Sequence, residues 1–224
     1  AGNAQATVAA VTDETVAVPL PGNLIPLREL PDNHPGVVFL RNKGFNAKKL
    51  SDNFGVGWCD HSQTRSARHR IVVPIRKNNT VVGWQARFVD ENGSGSTTGR
   101  YHCANPFCES IFSHLSDTPP AACPSCASTS VSPVRKWYTA PGMRTGSCML
   151  NYDVARTYNY IILTEGPLDV FRTGSPTQSE TPGPAVAIFN HKLSAGHLSM
   201  LQPFQQNKKG IIFMMFDQDV WAST

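Results

Sequence analysis

Tyr160-Ile161-Ile162-Leu163-Thr164-Glu165-Gly166-Pro167-Leu168-Asp169 and Ile211-Ile212-Phe213-Met214-Met215-Phe216-Asp217-Gln218-Asp219 decide the fold of this chain. Each is a short apolar run that ends in two acids. Such a run reads as a buried parallel strand that delivers carboxylates to one edge of a sheet. In open α/β sheets, ligands bind at the carboxyl ends of the strands. Carboxylates gathered there repel one another unless a divalent cation sits among them. Hard oxygen ligands, shared with a phosphate, are the set that Mg²⁺ takes. Glu165 and Asp169 are one helical turn apart, so a helix opening at Pro167 turns both toward one site. Gly166 permits the sharp turn after the strand. Asp217 and Asp219 are two apart and point the same way. The plainer alternative is acidic helix caps and solvated loop charges.

Working outward, the segment after Asn159 alternates. Strands are expected over 160–164, 185–189 and 211–217, with helices over 168–172 and 195–201. That alternation argues for a parallel sheet with right-handed crossovers. Upstream the pattern changes. Residues 70–75 and 80–88 are β-rich, and Lys77-Asn78-Asn79 between them suits a hairpin turn. Two short helical patterns, 37–43 and 47–54, flank Gly44, a helix stop. Residues 1–35 carry Pro19, Pro21, Pro26, Pro31 and Pro35 and read as an extended arm. The expected fold class is therefore mixed. An α+β unit spans 36–158, interrupted at 100–130 by a cysteine-bearing insertion, and an α/β unit with a parallel sheet spans 159–224.

Four of the six cysteines stand as Cys103-x4-Cys108 and Cys123-x2-Cys126. Two close pairs on tight turns can present four thiolates to Zn²⁺, and the pattern resembles a zinc ribbon. Pro106 and Pro124 lie inside the loops, where a turn is needed. Such a site supplies folding energy to a segment with little core of its own. His102 and His114 are substitute ligands, and free thiols or disulfides are the other reading. Cys59 and Cys148 fall outside the pattern and read as small buried residues. Cysteines in metal spacing favour a reducing compartment. The net charge of +4 permits a nucleic-acid partner without requiring one. No apolar stretch approaches membrane-spanning length. No basic region followed by an apolar one opens the chain, so no secretory signal is read there.

Glu165-Gly166-x-x-Asp169 with Asp217-x-Asp219 resembles the Toprim domain of bacterial-type primases, topoisomerases and related nucleases. Upstream segments narrow the resemblance to bacterial and phage-type primases. Ala67-Arg68-His69-Arg70-Ile71-Val72-Val73-Pro74-Ile75 is similar to their basic strand, and Val81–Arg87 to the strand that follows. Lys136-Trp137-Tyr138-Thr139-Ala140-Pro141-Gly142 resembles the stretch whose lysine faces the cleft. Leu150–Ala155 is similar to the lead into Toprim, and His34-Pro35-Gly36 through Phe45 to the opening of phage-type primase domains.

The resemblance implies a primase core that joins ribonucleotides on single-stranded DNA. A primer 3′-hydroxyl attacks an α-phosphate, and pyrophosphate leaves. It implies Mg²⁺ or Mn²⁺ on Glu165, Asp217 and Asp219, with Asp169 supporting the metal shell. Arg68, Arg70, Arg87, Lys136 and Lys192 would bind template or triphosphate; their plainer reading is solvated strand-edge charge. The implied partners are template DNA, NTPs, the RNA primer and a replicative helicase, fused or separate. The implied location is the cytoplasm of a bacterial or phage-infected cell.

Three departures stand out. The four cysteines interrupt the basic unit between Arg87 and Lys136, whereas bacterial primases carry zinc at the N-terminus. Asn190-His191-Lys192 replaces a glycine-bearing turn. The Toprim unit is expected to be partial, since five residues follow Asp219. A Toprim nuclease, or a non-catalytic nucleic-acid-binding subunit of a replication or virion assembly, are the competing readings.

Overall fold

The structure, a computed structural model, describes residues 16–62, 64–108, 110–116, 118–174, 179–206 and 210–216. In chain order it contains β1 (Leu24–Pro26), α1 (Pro35–Asn42), α2 (Ala47–Phe54), β2 (Gly57–Cys59), β3 (Arg70–Lys77) and β4 (Thr80–Phe88). Then come β5 (Arg100–Cys103), β6 (Ile111–Ser113), β7 (Val131–Pro133), β8 (Trp137–Thr139) and α3 (Tyr152–Ala155). The chain continues through β9 (Tyr160–Thr164), α4 (Pro167–Thr173), β10 (Ala185–Ala187), α5 (Ala195–Gln206) and β11 (Ile211–Met215). They form three sheets. One is five-stranded and antiparallel in the order β1-β2-β3-β4-β8. The second, β6-β5-β7, is small and antiparallel. The third, β10-β9-β11, is parallel.

The β3–β4 hairpin closes through Asn78 and Asn79, both at positive φ (50° and 62°). That is the two-residue turn whose twist matches paired strands, and asparagine tolerates it. A bulge at Ile75/Arg76 accentuates the twist. β3 is buried along nearly its whole length, and Trp84 of β4 is 1% exposed. The Trp84 indole N–H donates to the Pro19 carbonyl at 2.9 Å. Trp84 is thus core, with its polar edge satisfied by the N-terminal segment.

α2 starts where Asn46 Oδ1 accepts from the Lys48 and Lys49 N–H groups (3.0 and 3.2 Å), and it ends at Gly55 (φ 68°). An asparagine cap replaces two water bonds that the first turn would otherwise need. Asn46→Ala is expected to lower stability by about 1 kcal/mol. Chemical denaturation reads this as a shifted midpoint with unchanged slope.

Three expectations need correction. Residues 16–35 are not a free arm, because β1 pairs with β2 and Leu27 is buried. Alternating prolines allow extended backbone, and that backbone becomes a sheet edge, where a missing N–H costs least. The boundary at 158/159 also moves. Met149, Tyr152 and Ala155 share a core with Ile161, Leu163, Val186 and Leu201, and Leu150 bridges to Ala187. Finally, β11 is not a buried strand. Among the described residues it lies at a sheet edge, and Ile211, Phe213, Met214 and Met215 are exposed. No helix among the described residues is long and apolar enough to cross a membrane.

Candidate functional site

Two regions hold the residues with chemistry. The first is the carboxyl end of the parallel sheet. Thr164 pairs with Ala187 on one side and Met215 on the other, so all three strands finish level. Glu165 leaves β9 there, half-buried. Asp169 sits in the first turn of α4, and its Oδ2 accepts the Gly166 N–H at 3.1 Å. Its carboxylate therefore closes the helix start, the plainer of the two roles its spacing allowed. Lys192 lies exposed in the loop after β10. That loop follows Phe189, whose φ of 60° is a left-handed conformation better suited to glycine. Asp217 and Asp219 lie outside the described residues.

The second region is basic. Arg70 opens β3, and Arg87 lies near the end of β4. Their registers, Arg70 opposite Phe88 and Arg87 opposite Ile71, put them on opposite faces of the sheet. Both are buried, at 6% and 4% exposure. Arg70 donates to the Arg135 carbonyl (2.8 Å) and more weakly to that of Ala86 (3.3 Å), and its guanidinium lies over the Phe88 ring. Arg87 donates to the carbonyls of Gly95 and Lys136, between the rings of Phe39 and Trp137. Burial pulls both guanidiniums down to about 10, with repulsion from Arg87 adding to the effect on Arg70. Both stay charged at neutral pH. Among the described residues neither has a carboxylate partner. Buried charge held only by carbonyls and ring faces leaves a positive field uncompensated.

Lys136 is exposed, and its backbone carbonyl ties Arg87 and Phe88 together. Arg68 is half-buried, with its Nε donating to the Ser62 carbonyl at 2.7 Å. The structure thus gathers Arg68, Arg70, Arg87 and Lys136 at one end of the antiparallel sheet. Lys192 belongs with Glu165 on the parallel one. Sequence reasoning passed over Arg65 and Arg135, which join the basic group. The signal was present in the runs Arg65-Ser66-Ala67-Arg68-His69-Arg70 and Arg135-Lys136.

The four cysteines form a cluster that can hold a structural metal such as zinc. All four sulfurs lie within 4.8 Å of one another, with Cys103–Cys126 at 3.6 Å and Cys108–Cys123 at 3.7 Å. Zinc–sulfur bonds of about 2.3 Å in a tetrahedron set sulfur–sulfur edges near ~3.8 Å. The closest pairs match that edge and are far longer than a disulfide's roughly 2.05 Å. Burial alone would raise the Cys123 thiol. The N–H groups of Ser125 and Cys126, then the thiols of Cys108 and Cys103, outweigh it and bring it down to about 6. In the same cluster the Cys103 and Cys108 thiols shift upward instead, Cys108 to about 12, and four sulfurs at this spacing are the donor set a soft metal binds. His102 and His114 stay outside this set: His102 contacts Ser132 and His114 packs on Tyr101. Cys59 and Cys148 are free and buried.

No protein-family model matches this chain, and no curated protein does. Among solved structures, the DnaG catalytic core is similar in fold, with a TM-score of 0.50 over 88% of this chain and 14% identity. This chain spans 60% of that structure's length. At such low identity the likeness is one of fold: a mixed architecture, antiparallel then parallel, held in common.

Proposed function

We propose that this chain is the polymerising core of a DNA primase, a nucleotidyltransferase that builds RNA primers on single-stranded DNA. The observation that carries the reading is the fold likeness to the DnaG catalytic core across 88% of the chain. Beside it stands the run of segments that resemble primases in order. The Toprim-like unit is the parallel sheet, and Glu165 with Asp217 and Asp219 would hold Mg²⁺ or Mn²⁺. Glu165 suits that role as a half-buried carboxylate where three parallel strands end. Bound divalent ions would lower the pKa of the primer hydroxyl and neutralise charge on the leaving pyrophosphate. Asp169 supports the site by fixing the start of α4.

Arg68, Lys136 and Lys192 would meet phosphates of template or triphosphate. Arg70 and Arg87, locked by carbonyls and rings, act through the positive field of the sheet end. The cysteine lobe, 100–133, would carry structural zinc. Template, NTPs, primer and a replicative helicase are the proposed partners.

Template-dependent incorporation of labelled ribonucleotides on single-stranded DNA, with Mg²⁺ or Mn²⁺, tests the reading. Asp217→Ala is expected to cost about 10²-fold or more, above the loss typical of residues that only support a metal ligand. Incorporation that survives Asp217→Ala overturns the metal assignment. Template shortened without NTPs points instead to a nuclease.

A further inference from the structure

The loop from β4 to β5 is rich in glycine, serine and threonine, yet its first half has a fixed shape. Asp90 is 8% exposed, and its Oδ1 accepts the N–H groups of Asn92 (3.1 Å) and Ser94 (2.8 Å). The Asp90 N–H donates to the Ser94 carbonyl (2.9 Å), and the Gly93 N–H returns to the Asp90 carbonyl (3.0 Å). One carboxylate thus organises a turn that has no strand or helix to shape it. Arg100, at the start of β5, approaches Oδ2 at 3.4 Å. The turn carries Gly95 against Arg87 and Phe39. A side chain at Gly95 would press on Arg87 Nη2 and on the Phe39 ring, so glycine is what lets the backbone come so close.

Arg87 uses its guanidinium as a bridge. Nη2 donates to the Gly95 carbonyl at 2.9 Å, and Nη1 to the Lys136 carbonyl at 3.2 Å. The Lys136 carbonyl also accepts the Phe88 N–H at 3.0 Å. The third donor site, Nε, is buried and meets no acceptor among the described residues. An unmet buried donor is costly, so the placement of this side chain follows from the bridge and not from satisfying every donor. From the opposite face of the sheet, Arg70 takes the Arg135 carbonyl at 2.8 Å. The two residues that lead into β8 are therefore each pinned by a buried arginine, while their own side chains stay exposed.

We propose that Asp90, Gly95 and Arg87 are positioning residues: the loop seats Arg87, and Arg87 fixes the backbone from which Lys136 reaches an anionic phosphate group. The proposal rests on the primase reading for the source of that phosphate, template or triphosphate; the clamp itself does not. It gives Arg87 a role beyond its charge. A field needs only a cation, whereas the bridge needs a planar fork that aims two N–H groups at two carbonyls. A lysine in its place keeps the charge and loses the fork. A fixed backbone at Lys136 leaves less freedom to be lost when its amine meets a phosphate.

Fluorescence anisotropy on the full chain as zinc-loaded protein tests the proposal with two probes, a labelled ATP analogue with Mg²⁺ and a labelled single-stranded DNA. Lys136→Ala is expected to weaken at least one of them roughly tenfold. Arg87→Lys should weaken the same probe roughly threefold or more, and Arg87→Lys/Lys136→Ala should bind no worse than Lys136→Ala alone. A residue that served only the fold would add its loss to that of Lys136→Ala, and one that served only the field would tolerate lysine. If Arg87→Lys does not fold, Gly95→Ala takes its place in the same cycle, since its methyl displaces Arg87. Lys48→Ala, which removes an exposed charge from α2, should leave both probes unchanged. Losses that add, an Arg87→Lys protein that binds as the wild type does, or a Lys136→Ala protein that weakens neither probe each overturn the proposal. Normal ribonucleotide incorporation beside additive losses overturns the clamp and spares the primase reading. Coupled losses in a chain that never incorporates nucleotides do the reverse.

Discussion

A Cys123→Ser/Cys126→Ser variant is expected to fall from one equivalent of zinc to none and to lose the structure of residues 100–133. The lobe has almost no other core. Of its apolar side chains, Phe107 and Leu115 are more than nine-tenths exposed and Ile111 is 40% exposed. Among the described residues, its buried ones are Cys103, Pro120, Cys123 and, at the junction with the main sheet, Val134. Burying one valine contributes about 1.5–3 kcal/mol. Structural zinc contributes on the order of 10 kcal/mol to segments that fold around it. By that comparison a bound zinc, rather than apolar burial, would hold the lobe. Mass spectrometry of bound metal reads the first effect. Hydrogen exchange reads the second, with β5 and β7 becoming unprotected while β3 and β4 stay slow. A variant that keeps both its zinc and the protection of β5 would refute the assignment of these ligands.

Phe171→Ala is expected to cost about 3–5 kcal/mol, a large share of the roughly 5–15 kcal/mol that holds a typical domain together. Phe171 lies on α4, is 1% exposed, and packs its ring on Phe54 (4.8 Å between centroids) and on the edge of Phe45 (6.2 Å). Phe54 ends α2 and Phe45 lies between α1 and α2, so one side chain joins the parallel sheet's helix to the N-terminal helices. Neighbouring interactions lie along the same seam. Arg172 donates to the Lys43 carbonyl and covers Phe45, while the buried Glu180 carboxylate accepts the Asn46 N–H and meets Lys49. These polar ties are partly exposed and contribute little beside the ring. Thermal denaturation should show a drop of many degrees. A loss below about 1 kcal/mol would mean the seam is held elsewhere.

Much of this fold was legible because its signals are local. The runs at 160–164 and 211–215 and the helices between them follow from period alone, and Asn78-Asn79 fixes a hairpin through its own backbone preference. The cysteine pairs came together as their spacing required. What stayed hidden was set by tertiary placement. Ile211-Ile212-Phe213-Met214-Met215 has the composition of a central strand, yet among the described residues the order β10-β9-β11 makes it an edge, and no periodicity encodes strand order. Asp169 offered a metal role or a cap with equal spacing, and only the Gly166 hydrogen bond separates them. Arg70 and Arg87 read as surface charges because burial of arginine is rare.

The two main sheets differ in when they can form. β3 and β4 meet across a two-residue turn, so their pairing closes a minimal loop as soon as residue 88 exists. β9 sits in the middle of its sheet, and its partner β11 brings residue 211 beside residue 160. Closing so long a loop is entropically costly and slow. The antiparallel half is therefore expected to nucleate first, with α4 and Phe171 already able to dock on α1–α2. The carboxyl end of the parallel sheet, where Glu165 stands, is assembled last.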